Sequence, residues 1–367
     1  MKYYILAGEA SGDLHGSNLI KEIKKTEPNA DIRCWGGDLM QEAGATLVSH
    51  YKERSFMGFA EIVKNLLKIL GFIKFCKKDI ESFSPDKLIF IDNSGFNLRI
   101  AKWAKPKGFN TYYYISPQVW ASRSGRVKTI KATIDHMYVV LPFVKDFYKT
   151  FNYNVEYVGH PLLDAIAQHK KTSNTEFRNE FNLDERPIVA LLPGSRKQEI
   201  TKMLETMLLL PEKYPQFQFV IAGAPNQEVA FYQSFIKQQN VRLITNRTYD
   251  ILNLAHSALV TSGTATLETA LFKVPQVVCY KGSSISYAIA KRIVKLKYIS
   301  LVNLIMDKEV VTELIQNEFN IINLSREFEA IADGYKRATL FLDYYDLEQK
   351  LGGEGASKKT AQLIVNT

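Results

Sequence analysis

The run Leu259-Val-Thr-Ser-Gly-Thr-Ala-Thr-Leu-Glu-Thr-Ala-Leu271 constrains this chain more than any other stretch. Ala258 to Val260 reads as a buried strand, Ser262-Gly263-Thr264 as a tight turn, and the remainder as a helix. Gly263 permits the backbone angles that a sharp strand-to-helix turn demands. Thr264 and Thr266 are suited to capping the new helix, and Glu268 falls within its first two turns. A helix begun in this way presents unpaired N–H groups and the positive end of its dipole, which suits a diphosphate. Glu268 then lies where a carboxylate can accept hydrogen bonds from ribose hydroxyls. A capped helix with no ligand would use the same residues, so the stretch alone leaves both readings open.

A chain of 367 residues exceeds one typical core and predicts two domains. The excess of 47 basic over 38 acidic side chains, a formal charge of +9, favours an anionic partner without choosing among nucleic acid, lipid and phosphorylated substrates. Cys34, Cys76 and Cys279 are odd in number and widely spaced, with neither a disulfide framework nor zinc-ligand spacing, which fits a reducing cytosol. The apolar start at Tyr3 to Ala7 is too short for a signal peptide, and no run of about 18 apolar residues is present to span a bilayer. A protein that stays inside the cell is expected.

Tyr3 to Ala7 stops at Gly8 and leads through Glu9-Ala-Ser-Gly-Asp-Leu-His-Gly16 into a helical pattern, the opening of a doubly wound α/β domain. The glycine spacing is not GxGxxG, so a dinucleotide fingerprint is missing. The loop carries Glu9, Ser11, Asp13 and His15 at a strand's carboxyl end and is read as substrate-binding. Further strands are expected at Asp31 to Trp35, Lys87 to Ile91, Thr111 to Ile115 and His136 to Leu141. Lys87 to Ile91 ends in Asp92-Asn-Ser-Gly-Phe-Asn97, where Asp92 suits either a general base or a simple turn cap.

Residues 57–78 form a basic amphipathic pattern with Phe59, Ile62, Val63, Leu66, Ile69, Leu70 and Ile73 on one stripe. Lys64 and Lys68 fall opposite, and Phe72 and Phe75 join the lysines rather than the stripe. An interfacial helix tolerates that arrangement, because lysines reach lipid phosphates while phenyl rings enter the acyl boundary. An ordinary surface helix would need a neighbour to cover the two rings. A loop at Ile115-Ser-Pro-Gln-Val-Trp-Ala-Ser-Arg-Ser-Gly-Arg126 suits a polar head group or a packed turn.

A polar linker near residues 165–180 separates a second α/β series, with strands expected at Ile188 to Leu192, Phe217 to Ala222, Val241 to Thr245, Ala258 to Val260 and Gln276 to Tyr280. The first ends in Pro193-Gly-Ser-Arg-Lys-Gln-Glu199, where the Gly194 turn with Ser195, Arg196 and Lys197 makes a good anion cradle. Arg196 brings a planar fork for phosphate oxygens. Tyr287 to Lys297 reads as a second basic amphipathic helix, followed by a helix-rich tail.

Gly8-Glu-Ala-Ser-Gly-Asp13, Ser116-Pro-Gln-Val-Trp120, Gly159-His-Pro161, Leu192-Pro-Gly-Ser-Arg196, Ser262-Gly-Thr264 with Glu268, and Ser300-Leu-Val-Asn303 together resemble the lipid-A-disaccharide synthase family, in that family's order and over nearly the whole chain. The resemblance implies a GT-B glycosyltransferase, two Rossmann-like doubly wound parallel-sheet domains facing a cleft. It places an acceptor domain at 1–170, a UDP-sugar domain at 171–340 and a C-terminal helix, 341–367, crossing back to the first domain. It implies an inverting, metal-independent enzyme that needs no cofactor. UDP-2,3-diacylglucosamine would donate to 2,3-diacylglucosamine 1-phosphate, giving the β-1,6 lipid A disaccharide 1-phosphate plus UDP. The location implied is peripheral, on the cytoplasmic face of the inner membrane.

By the same resemblance Asp92 would be the base, with Glu9 and Ser11 beside it. Gly194, Ser195, Arg196, Ser262, Gly263, Thr264, Glu268 and Asn303 would serve UDP. Phe59, Lys64, Lys68, Phe72 and Phe75 would meet an anionic lipid surface. The family often carries a Pro-Asp pair shortly after the catalytic Asp, whereas Ser94-Gly95 stands here. A UDP-N-acetylglucosamine 2-epimerase is the rival enzyme, though its substrate carries no lipid and gives no reason for the 57–78 helix. A non-enzymatic membrane-associated nucleotide-binding module is the rival from another class. The basic residues are too dispersed for nucleic-acid binding.

Overall fold

Strands covered on both faces read as unbroken apolar runs, because a parallel sheet buries both sides under helices. The computed structural model describes residues 1–54, 66–122, 124–282 and 297–367, and such runs form its two sheets. The chain divides into two compact units, one of Met1–Ala167 with Leu351–Thr367, the other of Gln168–Lys350.

In the first unit β1 (Lys2–Ala7), β2 (Asp31–Gly36), β3 (Thr46–His50), β4 (Lys87–Ile91), β5 (Thr111–Tyr114), β6 (His136–Val139) and β7 (Glu156–Tyr157) form a parallel sheet in the order β3-β2-β1-β4-β5-β6-β7. Ala7 lies beside Ile91 in the register, so the turns after β1 and β4 emerge side by side. The sequence order of the strands reverses at this pair. Ligands of open α/β sheets gather at such a reversal.

The second unit repeats the plan. Its sheet runs β10-β9-β8-β11-β12-β13, from β8 (Ile188–Leu192), β9 (Gln218–Gly223), β10 (Val241–Thr245), β11 (Ala255–Thr261), β12 (Gln276–Tyr280) and β13 (Glu313–Ile315). Here the reversal lies between β8 and β11, with Leu192 beside Val260. Ile188, Ala190, Val220, Ala258 and Val260 pack with Phe177, Ile244 and Ile251 into one apolar core.

The last helix, Ala356–Val365, packs on the helix Ala10–Thr26 within the first unit. Both of its ends are held. Asp164, in the helix Pro161–Gln168, accepts hydrogen bonds from the backbone N–H groups of Gly355 (2.6 Å) and Ser357 (2.8 Å). At the other end the buried ammonium of Lys87 donates to the carbonyls of Ile364 and Val365. A carboxylate at the start and a cation at the end both complement the helix dipole. Gly159, at φ +93°, turns the chain into this contact, and a Cβ there would lie 3.5 Å from the Ala356 methyl. Buried His160 accepts from the Leu162 N–H through Nδ1, and burial holds its imidazole neutral, down to about 3. Gly159-His-Pro161 is therefore a docking turn for the C-terminal helix.

Phe59 and Lys64 lie outside the described residues, as do Arg123 and all of the expected 287–297 helix except Lys297. The helix Leu66–Phe83 departs from the expected stripe. Its buried line is Ile73, Cys76, Ile80 and Phe83, whereas Leu70 is half exposed. Phe72 and Phe75 both meet Trp35, at 6.4 and 5.7 Å between ring centroids. Trp35 draws both rings inward from the charged side, although Phe75 keeps 48% of its surface exposed. Among the described residues no helix is long and apolar enough to cross a membrane.

Removing the Asp164 carboxylate strands two N–H groups at the helix start. Asp164→Ala is expected to lower the free energy of unfolding by about 2–4 kcal/mol, with Asp164→Asn losing less. Urea denaturation of the three proteins measures the difference.

Candidate functional site

In the first unit the turn after β1 presents Glu9 and Ser11 as exposed side chains at the start of the helix Ala10–Thr26. Asp13 and His15, read from the sequence as part of the same polar loop, turn inward. The Asp13 carboxylate accepts from the N–H groups of Gly37 (2.8 Å), Leu39 (3.2 Å) and Met40 (3.1 Å), capping the helix Asp38–Glu42. His15 is buried, and desolvation pushes its imidazole down to about 4. Both are structural.

The turn after β4 is strained. Asp92 and Asn93 have φ of +46° and +39°, the left-handed region that disfavours residues with a Cβ, although Asp and Asn enter it more readily than most. Gly8 makes the turn possible, since a Cβ at position 8 would fall on the Asn93 amide. Burial foremost, and then the negative charge of Glu9, raises the Asp92 carboxyl to about 6. A carboxylate poised so near neutrality, at the end of a strand, has the properties of a general base. The helix Ser94–Ala104 starts directly after it with no side-chain cap, and Arg126 Nη1 reaches the Ser94 hydroxyl at 3.5 Å.

In the second unit the turns after β8, β9 and β11 line a pocket of about 340 Å³ that includes Gly194, Ser195, Glu199, Gly223, Thr248, Ser262, Gly263, Thr264 and Glu268. Gly263 takes φ +157° and ψ −162°, a combination essentially confined to glycine, and precedes the helix Thr264–Leu271. The threonines do not cap it. Thr266 Oγ1 instead donates back to the Gly263 carbonyl at 2.8 Å, and no side chain caps the helix start, which faces the pocket. Capping would consume donors that a phosphate needs, and none is consumed here by a side chain. Glu268 accepts from the Tyr249 hydroxyl at 3.2 Å, and burial raises its carboxyl.

The Gly194-Ser195 cradle is already engaged. Glu199 Oε2 accepts from the Ser195 N–H at 3.2 Å, and a Cβ on Gly194 would collide with that carboxylate. Arg196 is exposed just before the helix Lys197–Met207, and no ion pair holds it among the described residues.

Asn303 stands apart from the other nucleotide candidates. It is fully buried, its amide donates to Val311 O (2.8 Å) and Glu313 Oε1 (2.9 Å), and its carbonyl accepts from the N–H groups of Val310 (2.8 Å) and Val311 (2.9 Å). A side-chain amide has two donors and two acceptor positions, so none remains for UDP. In this structure the Asn303 side chain, expected to serve UDP, spends its amide within the protein. Glu313 also accepts from the N–H groups of Ile299 and Ser300, both at 2.9 Å, and the Ile299 carbonyl accepts from the Ser262 hydroxyl at 2.8 Å. Asn303 and Glu313 thus brace the pocket turn from behind. Sequence reading missed Glu313 and Tyr249, whose roles come entirely from long-range partners.

If Asn303 is a brace, Asn303→Ala strands two buried N–H groups and is expected to cost about 2–4 kcal/mol of stability. A ligand contact would instead lose UDP affinity with the fold intact. Urea denaturation alongside UDP titration separates the two.

Residues 3–365 match the profile of a family described as lipid-A-disaccharide synthetase. The lipid-A-disaccharide synthase of Syntrophus aciditrophicus (strain SB) is 39% identical over 370 residues, covering 98% of this chain and 96% of the relative. That of Coxiella burnetii (strain CbuG_Q212) is 36% identical over 368 residues, covering 99% and 97%. Among solved structures, UDP-GlcNAc 2-epimerase from Neisseria meningitidis bound to UDP-GlcNAc superposes with a TM-score of 0.74 at 14% identity, over 100% of both chains. A calicheamicin glycosyltransferase gives 0.59 at 12% identity, over 100% of this chain and 98% of that one. These structural likenesses establish the GT-B fold that glycosyltransferases and epimerases share, and the sequence relatives decide between the two enzymes. The chain belongs to the lipid-A-disaccharide synthase family of glycosyltransferases.

Proposed function

We propose that this glycosyltransferase moves 2,3-diacylglucosamine from UDP-2,3-diacylglucosamine to the 6-hydroxyl of 2,3-diacylglucosamine 1-phosphate. The observation that carries the reading is Asp92, a carboxylate raised to about 6 at the strand-order reversal of the first unit. The Asp92 carboxylate takes the proton of the acceptor hydroxyl as its oxygen bonds to the donor's anomeric carbon. The bond from that carbon to UDP breaks with inversion, giving the β-1,6 disaccharide 1-phosphate and UDP. Glu9 and Ser11 orient the acceptor.

UDP occupies the pocket after β11. Its diphosphate lies at the start of the helix Thr264–Leu271, with Ser262, Gly263 and Thr264 around it, and its ribose hydroxyls donate to Glu268. Gly194, Ser195 and Arg196 approach from the turn after β8, where an incoming phosphate displaces Glu199 from the Ser195 N–H. Charge on the departing diphosphate is met by Arg196 and the helix dipole, so the reaction needs neither metal nor cofactor.

Acylated substrates call for a lipid surface. On the helix Leu66–Phe83, Leu67, Leu70 and Phe75 are exposed together with Lys68, Lys74 and Lys78. Apolar groups flanked by ammonium groups suit an anionic bilayer. This supports peripheral attachment to the cytoplasmic face of the inner membrane, with Phe72 serving the fold through Trp35 rather than the lipid.

The test is disaccharide 1-phosphate formation from the two acylated substrates in mixed micelles with EDTA present. Wild type is expected to be active, with kcat/KM falling as pH drops through about 6, where protonation removes the base. Asp92→Asn is expected to lose about 10²–10⁴-fold. Dependence on added divalent metal, or full activity of Asp92→Asn, would overturn the mechanism.

A further inference from the structure

The Asp92–Asn93 turn is held by groups that do not themselves reach the acceptor hydroxyl. Asn97, buried in the helix Ser94–Ala104, sends its amide N–H groups to three carbonyls: Asp92 O at 2.9 Å, Ile91 O at 3.1 Å and Leu6 O at 3.4 Å. Tyr113, fully buried in β5, donates its hydroxyl to the same Asp92 carbonyl. Both acceptor positions of that carbonyl are therefore filled, one from the helix and one from the sheet. A carbonyl pinned from two directions fixes the plane of the peptide between residues 92 and 93. With the Asp92 N–H bonded to Tyr114 O at 3.3 Å, the Asp92 Cα has little freedom left.

The two consecutive left-handed residues are costly and persist only where the surroundings over-determine them. Asn97 ties the ends of β1 and β4 together through Leu6 O and Ile91 O, and in doing so supplies that constraint. We propose that Asn97, assisted by Tyr113, is the positioning residue of this enzyme: it holds the Asp92 peptide left-handed so that the carboxylate projects from the end of β4 toward the acceptor. The inference rests on Asp92 being the base.

Without these donors the peptide relaxes toward ordinary strand or helical angles and swings the carboxylate away. A displacement near 1 Å in a reacting group costs on the order of 10²-fold in rate. The effect falls on kcat, because neither side chain belongs to the acceptor or UDP contacts proposed above.

The experiment is a double-mutant cycle on the full-length protein, with kcat and both KM values measured for wild type, Asn97→Leu, Tyr113→Phe, Asp92→Asn and the two doubles carrying Asp92→Asn. Tyr113→Phe keeps the ring packing and removes only the hydroxyl, so it remains informative if Asn97→Leu fails to fold. Each positioning variant is expected to lower kcat, about 10²-fold for Asn97→Leu and less for Tyr113→Phe, with KM within about twofold. Added to Asp92→Asn, neither is expected to lower the residual rate further, because the group it positions is already gone. Equal losses in both backgrounds, or single variants with wild-type kcat, would overturn the positioning role. Full activity of Asp92→Asn alone would overturn the underlying assignment of the base, a distinct outcome.

Discussion

The Asp92 carbonyl accepts two buried hydrogen bonds, one from a helix and one from the sheet, and the chemistry proposed for the first unit depends on them. A carboxylate at the end of a parallel strand ordinarily faces water and stays near its usual acidity. Here the left-handed turn keeps Asp92 largely buried and within the field of Glu9, which raises it to about 6. Gly8 is part of the same device, because a side chain there would evict Asn93. Backbone strain, burial and basicity are three aspects of one local arrangement.

The second unit solves a different problem with the same architecture. At its strand-order reversal the start of a helix carries no side-chain cap. Thr266 bonds backward, Ser262 bonds sideways to Ile299, and the free N–H groups face a pocket that also holds Glu268. Asn303 and Glu313 spend their polar atoms keeping the segment behind this turn in place. One unit thus stores strain to perturb a carboxylate, and the other withholds caps to offer donors.

The sequence makes the interior strands plain and, β10 excepted, hides the edges. β1, β4, β8 and β11 are buried on both faces and read as apolar runs, so the turns that follow them could be located, and with them Glu9, Asp92, Arg196 and Gly263. β3, β7 and β13 sit at sheet edges, where short or mixed runs suffice, and none was visible. Residues whose duty lies with a distant partner are the hardest to read from sequence. Asp13 looked like a ligand group until the Gly37–Met40 backbone claimed it. Asn303 carries a family motif, and its amide is satisfied seven to ten residues away. Phe72 lies on the lysine side of a helical wheel, which has no place for Trp35. Periodicity reports the face of an element and not the partner that covers it.

The most direct measurement of the account is the titration of the Asp92 carboxyl carbon by NMR in ¹³C-aspartate-labelled protein, assigned by comparison with Asp92→Asn. The resonance is expected to titrate with a midpoint near 6, and lower when Tyr113→Phe loosens the turn and lets water in. A midpoint in the ordinary aspartate range near 3.8, unchanged by Tyr113→Phe, would contradict the claim that a strained, buried turn makes Asp92 a base.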